Sequence, residues 1–141
     1  MKSLKIFFVV LFVSAILLTA CSDGEVALKV TGNVAKEKGW TEAKVKAMKT
    51  LDVESTNKDG ETSTYTGVLI TDLLAEAKPN ADATSVVFVA DDGYTAEVTL
   101  EELNACADCI VSFRNQGGFS TVMPDFSGKL QVKGVIEIQV K

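Results

Sequence analysis

The first twenty residues set how much chain is left to fold. Lys2 and Lys5 precede an apolar run, Ile6 to Leu18, broken only by Ser14 and followed by Leu18-Thr19-Ala20-Cys21. A 13-residue helix would reach roughly 20 Å, short of the ~30 Å hydrocarbon core of a bilayer. That length and the basic flank fit a signal peptide over residues 1–20 rather than a transmembrane span. Leu18-Thr19-Ala20-Cys21 looks like a bacterial lipobox, in which the signal peptidase cuts before the cysteine and the sulfur is acylated. The alternative is an ordinary secretory signal with a chance cysteine. Ser22, Asp23, Gly24 and Glu25 are small or charged and suit a flexible tether, drawn here over residues 21–28. One acyl chain anchors only marginally, so stable attachment needs the several chains of a lipoprotein cysteine. The expectation is an extracytoplasmic protein held to the bacterial cell membrane through Cys21, with inner or outer membrane left open.

The remaining 121 residues suffice for one domain with its own core. With Lys2 and Lys5 gone, 12 basic residues face 19 acidic ones, a net charge of −7. Nucleic-acid binding calls for a basic patch, and this balance argues against it. A highly phosphorylated ligand would need local cations, and Arg114 is the single arginine. The chain has no histidine. The commonest general base and metal ligand is therefore missing, and Ser-His-Asp or Cys-His catalysis is excluded.

Residues 25–31 alternate polar and apolar as a half-buried strand does, and Gly32-Asn33 ends the run. Thr41 is a suitable N-cap for a short helix ending near Met48, with Trp40 placed to staple onto Val45. Leu51, Val53 and Ser55 alternate again, and Lys58-Asp59-Gly60 reads as a hairpin turn into residues 62–66. Thr71 is expected to cap a second helix that turns Leu73, Leu74 and Ala77 inward and stops at Pro79-Asn80. The continuous apolar run of residues 85–90 suggests a central strand. Asp91-Asp92-Gly93 turns it into a partner, residues 94–98. Thr99 and Glu102 form a capping box for a third helix, residues 100–105. Residues 110–113 read as a strand, 114–129 as a long polar loop, and the last strand lies within residues 130–140. The fold class is α+β: a single mixed-sheet domain with three short helices.

Several of these segments together resemble a known family. Tyr65-Thr66-Gly67-Val68-Leu69, then Asp72-Leu73-Leu74, then Asp92-Gly93-Tyr94 at a strand turn, are similar to the sulfite-oxidase-type oxidoreductase molybdopterin-binding domain. Lys29-Val30-Thr31-Gly32-Asn33-Val34 looks like that family's opening strand, and Val132-Lys133-Gly134-Val135-Ile136-Glu137-Ile138 like its closing one. The resemblance runs over residues 29–141. It implies a mixed α/β domain that holds a molybdenum cofactor through its pterin and phosphate, with one cysteine thiolate on the metal. In this chain Ser55 stands where that cysteine is expected, and no cysteine lies between Cys21 and Cys106. A serine hydroxyl is a hard, protonated ligand that does not simply replace a thiolate. The family's histidine and arginine positions also find no match. The resemblance thus implies the fold without its usual metal chemistry, its cleft kept as a pocket near Ser55, Tyr65, Asp92, Tyr94 and Arg114. A molybdopterin cofactor remains the alternative that it carries.

Cys106-Ala107-Asp108-Cys109 raises four readings, of which two fall at once. Heme attachment would need histidine at position 110, which is isoleucine. Zinc would need two more cysteine or histidine ligands. A redox dithiol is usually activated at a helix N-terminus, but the Thr99 cap puts this pair at a C-terminus. A structural disulfide therefore leads, with the redox pair as its rival. Arg114-Asn115-Gln116-Gly117-Gly118 follows a strand and offers amides to an anion. Three roles stay open: a ligand- or partner-binding lipoprotein whose partner is a membrane or surface protein, a molybdopterin-bearing oxidoreductase or redox-complex subunit, and a thiol–disulfide protein.

Overall fold

Leu28 and Val30 are fully buried and alternate with more exposed neighbours, so the period read from residues 25–31 forms a strand with one covered face from Leu28 on, while Val26 stays outside it and exposed. The computed structural model describes residues 24–141. The signal peptide and Cys21 therefore lie outside the described residues. In chain order the elements are β1 (Leu28–Gly32), β2 (Lys38–Trp40), α1 (Glu42–Lys46), β3 (Leu51–Thr56), β4 (Thr62–Leu69), α2 (Ile70–Ala77), β5 (Ser85–Ala90) and β6 (Thr95–Thr99). There follow α3 (Leu100–Ala105), β7 (Ile110–Phe113), β8 (Phe119–Val122), a 3-10 turn (Gly128–Leu130) and β9 (Val135–Val140).

The strands form two sheets rather than one. The first, in the order β2-β1-β9-β5-β6, is mixed, because β1 and β9 run parallel. The second, β3-β4-β7-β8, is antiparallel throughout. Pairing the first and last strands closes the domain. At Gly32, which has φ 92°, a Cβ would run into the Val140 carbonyl, so glycine is required there. The main core lies between the sheets. Val86, Phe88, Ile138 and Val140 from the first sheet meet Leu73 and Leu74 of α2, Leu103 of α3, and Val68, Val111 and Phe119 of the second. Each such side chain contributes about 1.5–3 kcal/mol by leaving water. A small separate cluster, Val53, Ile110 and Val122 with Leu69, covers the other face of the second sheet.

The local signals behave as expected. Thr41 accepts the Lys44 amide at 3.2 Å, and Thr99 and Glu102 complete a capping box. Where long-range contacts decide, the structure departs from the sequence reading. Thr71 lies inside α2; the N-cap is Leu69, without a side-chain bond, and the Ile70 amide donates instead to the Cys109 carbonyl at 3.0 Å. β5 is an interior strand between β9 and β6, as expected, but its burial alternates, since only its Val86, Phe88 and Ala90 face is covered. The loop drawn over residues 114–129 contains β8, whose Phe119, Thr121 and Val122 are buried by pairing with β7. β2 is too short to announce itself by periodicity. The tether drawn to residue 28 ends sooner, because the Ala27 amide already bonds to the Trp40 carbonyl at 2.8 Å and Leu28 is core.

Candidate functional site

The five residues grouped by sequence stand on both sheets. Ser55 and Tyr65 are on the β3–β4 hairpin, where Ser55 pairs with Ser63 and Tyr65 with Val53. Cross-strand partners share a face, so Ser55 and Tyr65 lie on the side of the small Val53 cluster and not toward the main core. Asp92 and Tyr94 occupy the β5–β6 turn of the other sheet. The Asp92 carboxylate accepts the Tyr94 amide at 2.9 Å, which makes Asp92 a turn former. The Tyr94 hydroxyl donates to the Lys129 carbonyl at 2.8 Å.

Arg114 begins the β7–β8 turn. Its amide donates to the Gly118 carbonyl and its carbonyl accepts from Gly117, both at 3.1 Å. Of the amides over residues 114–118 suggested for an anion, that of Gly118 already has one: its N–H donates to the Glu42 carboxylate at 3.2 Å. Glu42 also meets Lys46 at 2.6 Å. The bond to Lys46 and then that to Gly118 hold its carboxyl below the ordinary value. A side chain from α1 thus fills the site that the sequence offered to a ligand.

Cys106 and Cys109 are joined as a disulfide, with Cα atoms 5.7 Å apart. Cys106 caps the C-terminus of α3, and Cys109 is buried at the entry to β7. The Asp108 carboxylate sits 3.4 Å from the Cys106 sulfur. Both the helix end and this carboxylate oppose a thiolate, as the sequence reading of the helix end anticipates. Among the described residues, Cys106, Asp108 and Cys109 are the only three such side chains with donor atoms close together, and the disulfide uses both sulfurs.

A concavity of about 870 Å³ opens beside this disulfide, lined by Glu97, Glu102, Cys106, Asp125, Phe126 and Leu130 among others. A second of about 340 Å³ adjoins it, shares Glu97, Ser127 and Leu130, and ends at Tyr94 and Lys129. Of the five sequence candidates Tyr94 lines this groove, while Ser55, Tyr65, Asp92 and Arg114 line neither part. Its carboxylates come from β6, α3, the 106–109 connection and the 123–131 loop. No spacing in the sequence could have joined them. Glu102 is held ionised first by the Thr99 hydroxyl and then by the Thr99 amide.

A family model described as "Oxidoreductase molybdopterin binding domain" matches residues 19–141. No curated protein matches the chain. Among solved structures, the sulfane dehydrogenase SoxCD from Paracoccus pantotrophus superposes with a TM-score of 0.69 at 16% sequence identity. The match covers 80% of this chain but 37% of that one, so this chain spans little more than a third of its length. At that identity the likeness speaks for the fold alone.

Proposed function

This chain belongs to the oxidoreductase molybdopterin-binding domain family, and we propose that it is a lipid-anchored, extracytoplasmic member that binds a ligand or partner protein without molybdenum catalysis. The observation that carries this is the donor set. The family resemblance implies a cysteine thiolate on the molybdenum. Among the described residues the cysteines are Cys106 and Cys109, and each sulfur is bound to the other. Ser55 offers a hydroxyl on an open hairpin in place of the thiolate. The residues present therefore do not fit the group. Attachment to the membrane rests on Leu18-Thr19-Ala20-Cys21.

Elemental analysis and pterin fluorescence on protein made in a host able to synthesise the cofactor test the reading. We expect neither molybdenum nor pterin. Near-stoichiometric molybdenum that Ser55→Ala abolishes would establish the molybdopterin-bearing oxidoreductase instead, the reading that family membership favours. For the anchor, Cys21→Ser should move the protein from the membrane fraction to the soluble one or stall it as a precursor. A processed wild-type protein without acyl chains by mass spectrometry overturns that part.

A further inference from the structure

The acidic groove runs along the open edge of a sheet. β6 is the last strand of the five-stranded sheet; β5 pairs with one side of it, and no strand pairs with the other among the described residues. Successive residues of a strand point to opposite faces, so a groove over one face would touch every second residue. Here Tyr94, Thr95, Ala96, Glu97 and Val98 all line the two adjoining concavities. The groove therefore straddles the edge of β6, where main-chain N–H and C=O groups are offered.

The loop that forms its opposite wall is pinned at both ends. The Gln131 side chain clamps Met123, donating to its carbonyl at 2.6 Å and accepting its amide at 3.1 Å. Thr121 accepts the Val132 amide at 2.7 Å and donates to the Leu130 carbonyl at 2.5 Å. The disulfide fixes one end of the groove. Such a slot is largely preorganised, which lowers the ordering cost of binding. Its charge is one-sided: Glu97, Glu102, Asp108 and Asp125 line it against Lys129 alone.

We propose that this groove takes an extended, lysine- or arginine-bearing polypeptide segment of a partner protein as a sixth strand on β6. Main-chain bonds to the open edge would supply affinity, and the carboxylates would select cationic side chains and discourage neutral or acidic strands. The inference deepens the partner-binding reading above and rests on it.

The test uses the full-length chain in detergent micelles and a synthetic peptide of about eight alternating valines and lysines, a common strand length. Two controls accompany it: the same peptide with glutamate for lysine, and the lysine peptide N-methylated at every second amide. The lysine peptide should bind saturably and lose affinity as salt rises. The glutamate peptide should bind about tenfold more weakly or less, and the methylated one should be weakened similarly. The double variant Glu97→Gln, Asp125→Asn should also weaken the lysine peptide; the peptide controls need no altered protein and decide the matter if that variant misfolds. No saturable binding of the lysine peptide, equal binding of the glutamate peptide, or indifference to N-methylation overturns the proposal. A concentration-dependent dimer that the lysine peptide disrupts assigns the edge to a second copy of this chain and also overturns it. Molybdenum measured on the same preparation separates the two failures. Stoichiometric metal defeats the catalysis-free reading, whereas metal-free protein that ignores the lysine peptide defeats this inference alone.

Discussion

The β5–β9 pair and the β3–β4 hairpin are both antiparallel and of similar length, yet they are held in register by different forces. In β5 and β9 every second residue is buried: Val86, Phe88 and Ala90 on one, Val135, Ile138 and Val140 on the other with one irregular step. In the 14 residues of β3 and β4 only Val53, Gly67 and Val68 are buried. Side-chain bonds take over there. Thr66 donates to Asp52 at 2.6 Å, Thr56 and Thr62 hydroxyls meet at 2.8 Å, and Asn57 accepts the amides of Asp59 and Glu61. A slip by one residue would expel the first pair's apolar set from the core, whereas in the hairpin it would cost mainly these exposed bonds. The hairpin is therefore held mainly by exposed side-chain bonds, and it carries Ser55 and Tyr65. A cofactor centre needs ligands fixed to a fraction of an ångström by packed neighbours, which this hairpin does not provide.

The comparison breaks most visibly at the aromatic residues. Phe88→Ala should cost about 3–5 kcal/mol in denaturant unfolding, because it empties a fully enclosed site. Tyr65→Ala, at 38% exposure, should cost well under about 1 kcal/mol. Similar losses would mean that the hairpin is covered in solution by something that buries it.

Next in size is the joint between the sheets, where α3 hands the chain to β7. Cys106→Ser with Cys109→Ser should destabilise by about 2 kcal/mol, the chain-entropy value for so short a loop. Thiol counting in denaturant should find no free thiol at Cys106 or Cys109 in the exported protein. Two free thiols at these positions would return the pair to the redox reading.

The smallest effects compare one side-chain bond from each region. Glu137 on β9 accepts the Thr31 hydroxyl at 2.6 Å and faces Lys29 at 3.5 Å. Burial raises its pKa, but the Thr31 bond and the Lys29 charge outweigh this and leave it below the ordinary 4.5. A lowered folded-state pKa gives stability that is complete above the unfolded value and lost as pH falls through the folded one. Glu137→Gln should therefore cost about 1 kcal/mol at neutral pH and flatten the decline of stability below about pH 4.5. Thr66→Ala, in the exposed hairpin, should cost only a few tenths of a kcal/mol. An unchanged acid slope for Glu137→Gln would place the pH dependence elsewhere.

What could be read in the chain beforehand follows the range of the interaction. The Thr41 cap, the Thr99–Glu102 box, the Asp59-Gly60 and Asp92-Gly93 turns and the alternation from Leu28 to Thr31 depend on groups a few positions apart, and all appear in the structure. The missing histidine and the gap in cysteines from 22 to 105 are facts of sequence that no fold can change. Tertiary structure decided everything that needed a distant partner. It laid β1 parallel beside β9, across more than a hundred residues. It drew β8 out of an apparent loop because β7 offered an edge, and started α2 on the Cys109 carbonyl rather than on Thr71. It also filled the Gly118 amide with Glu42 and gathered carboxylates from four separate segments along β6. Hydrogen bonds between near neighbours need no distant partner to form. Burial and edge pairing exist only once the chain has closed on itself, so the groove on β6 could not be read from the order of its residues.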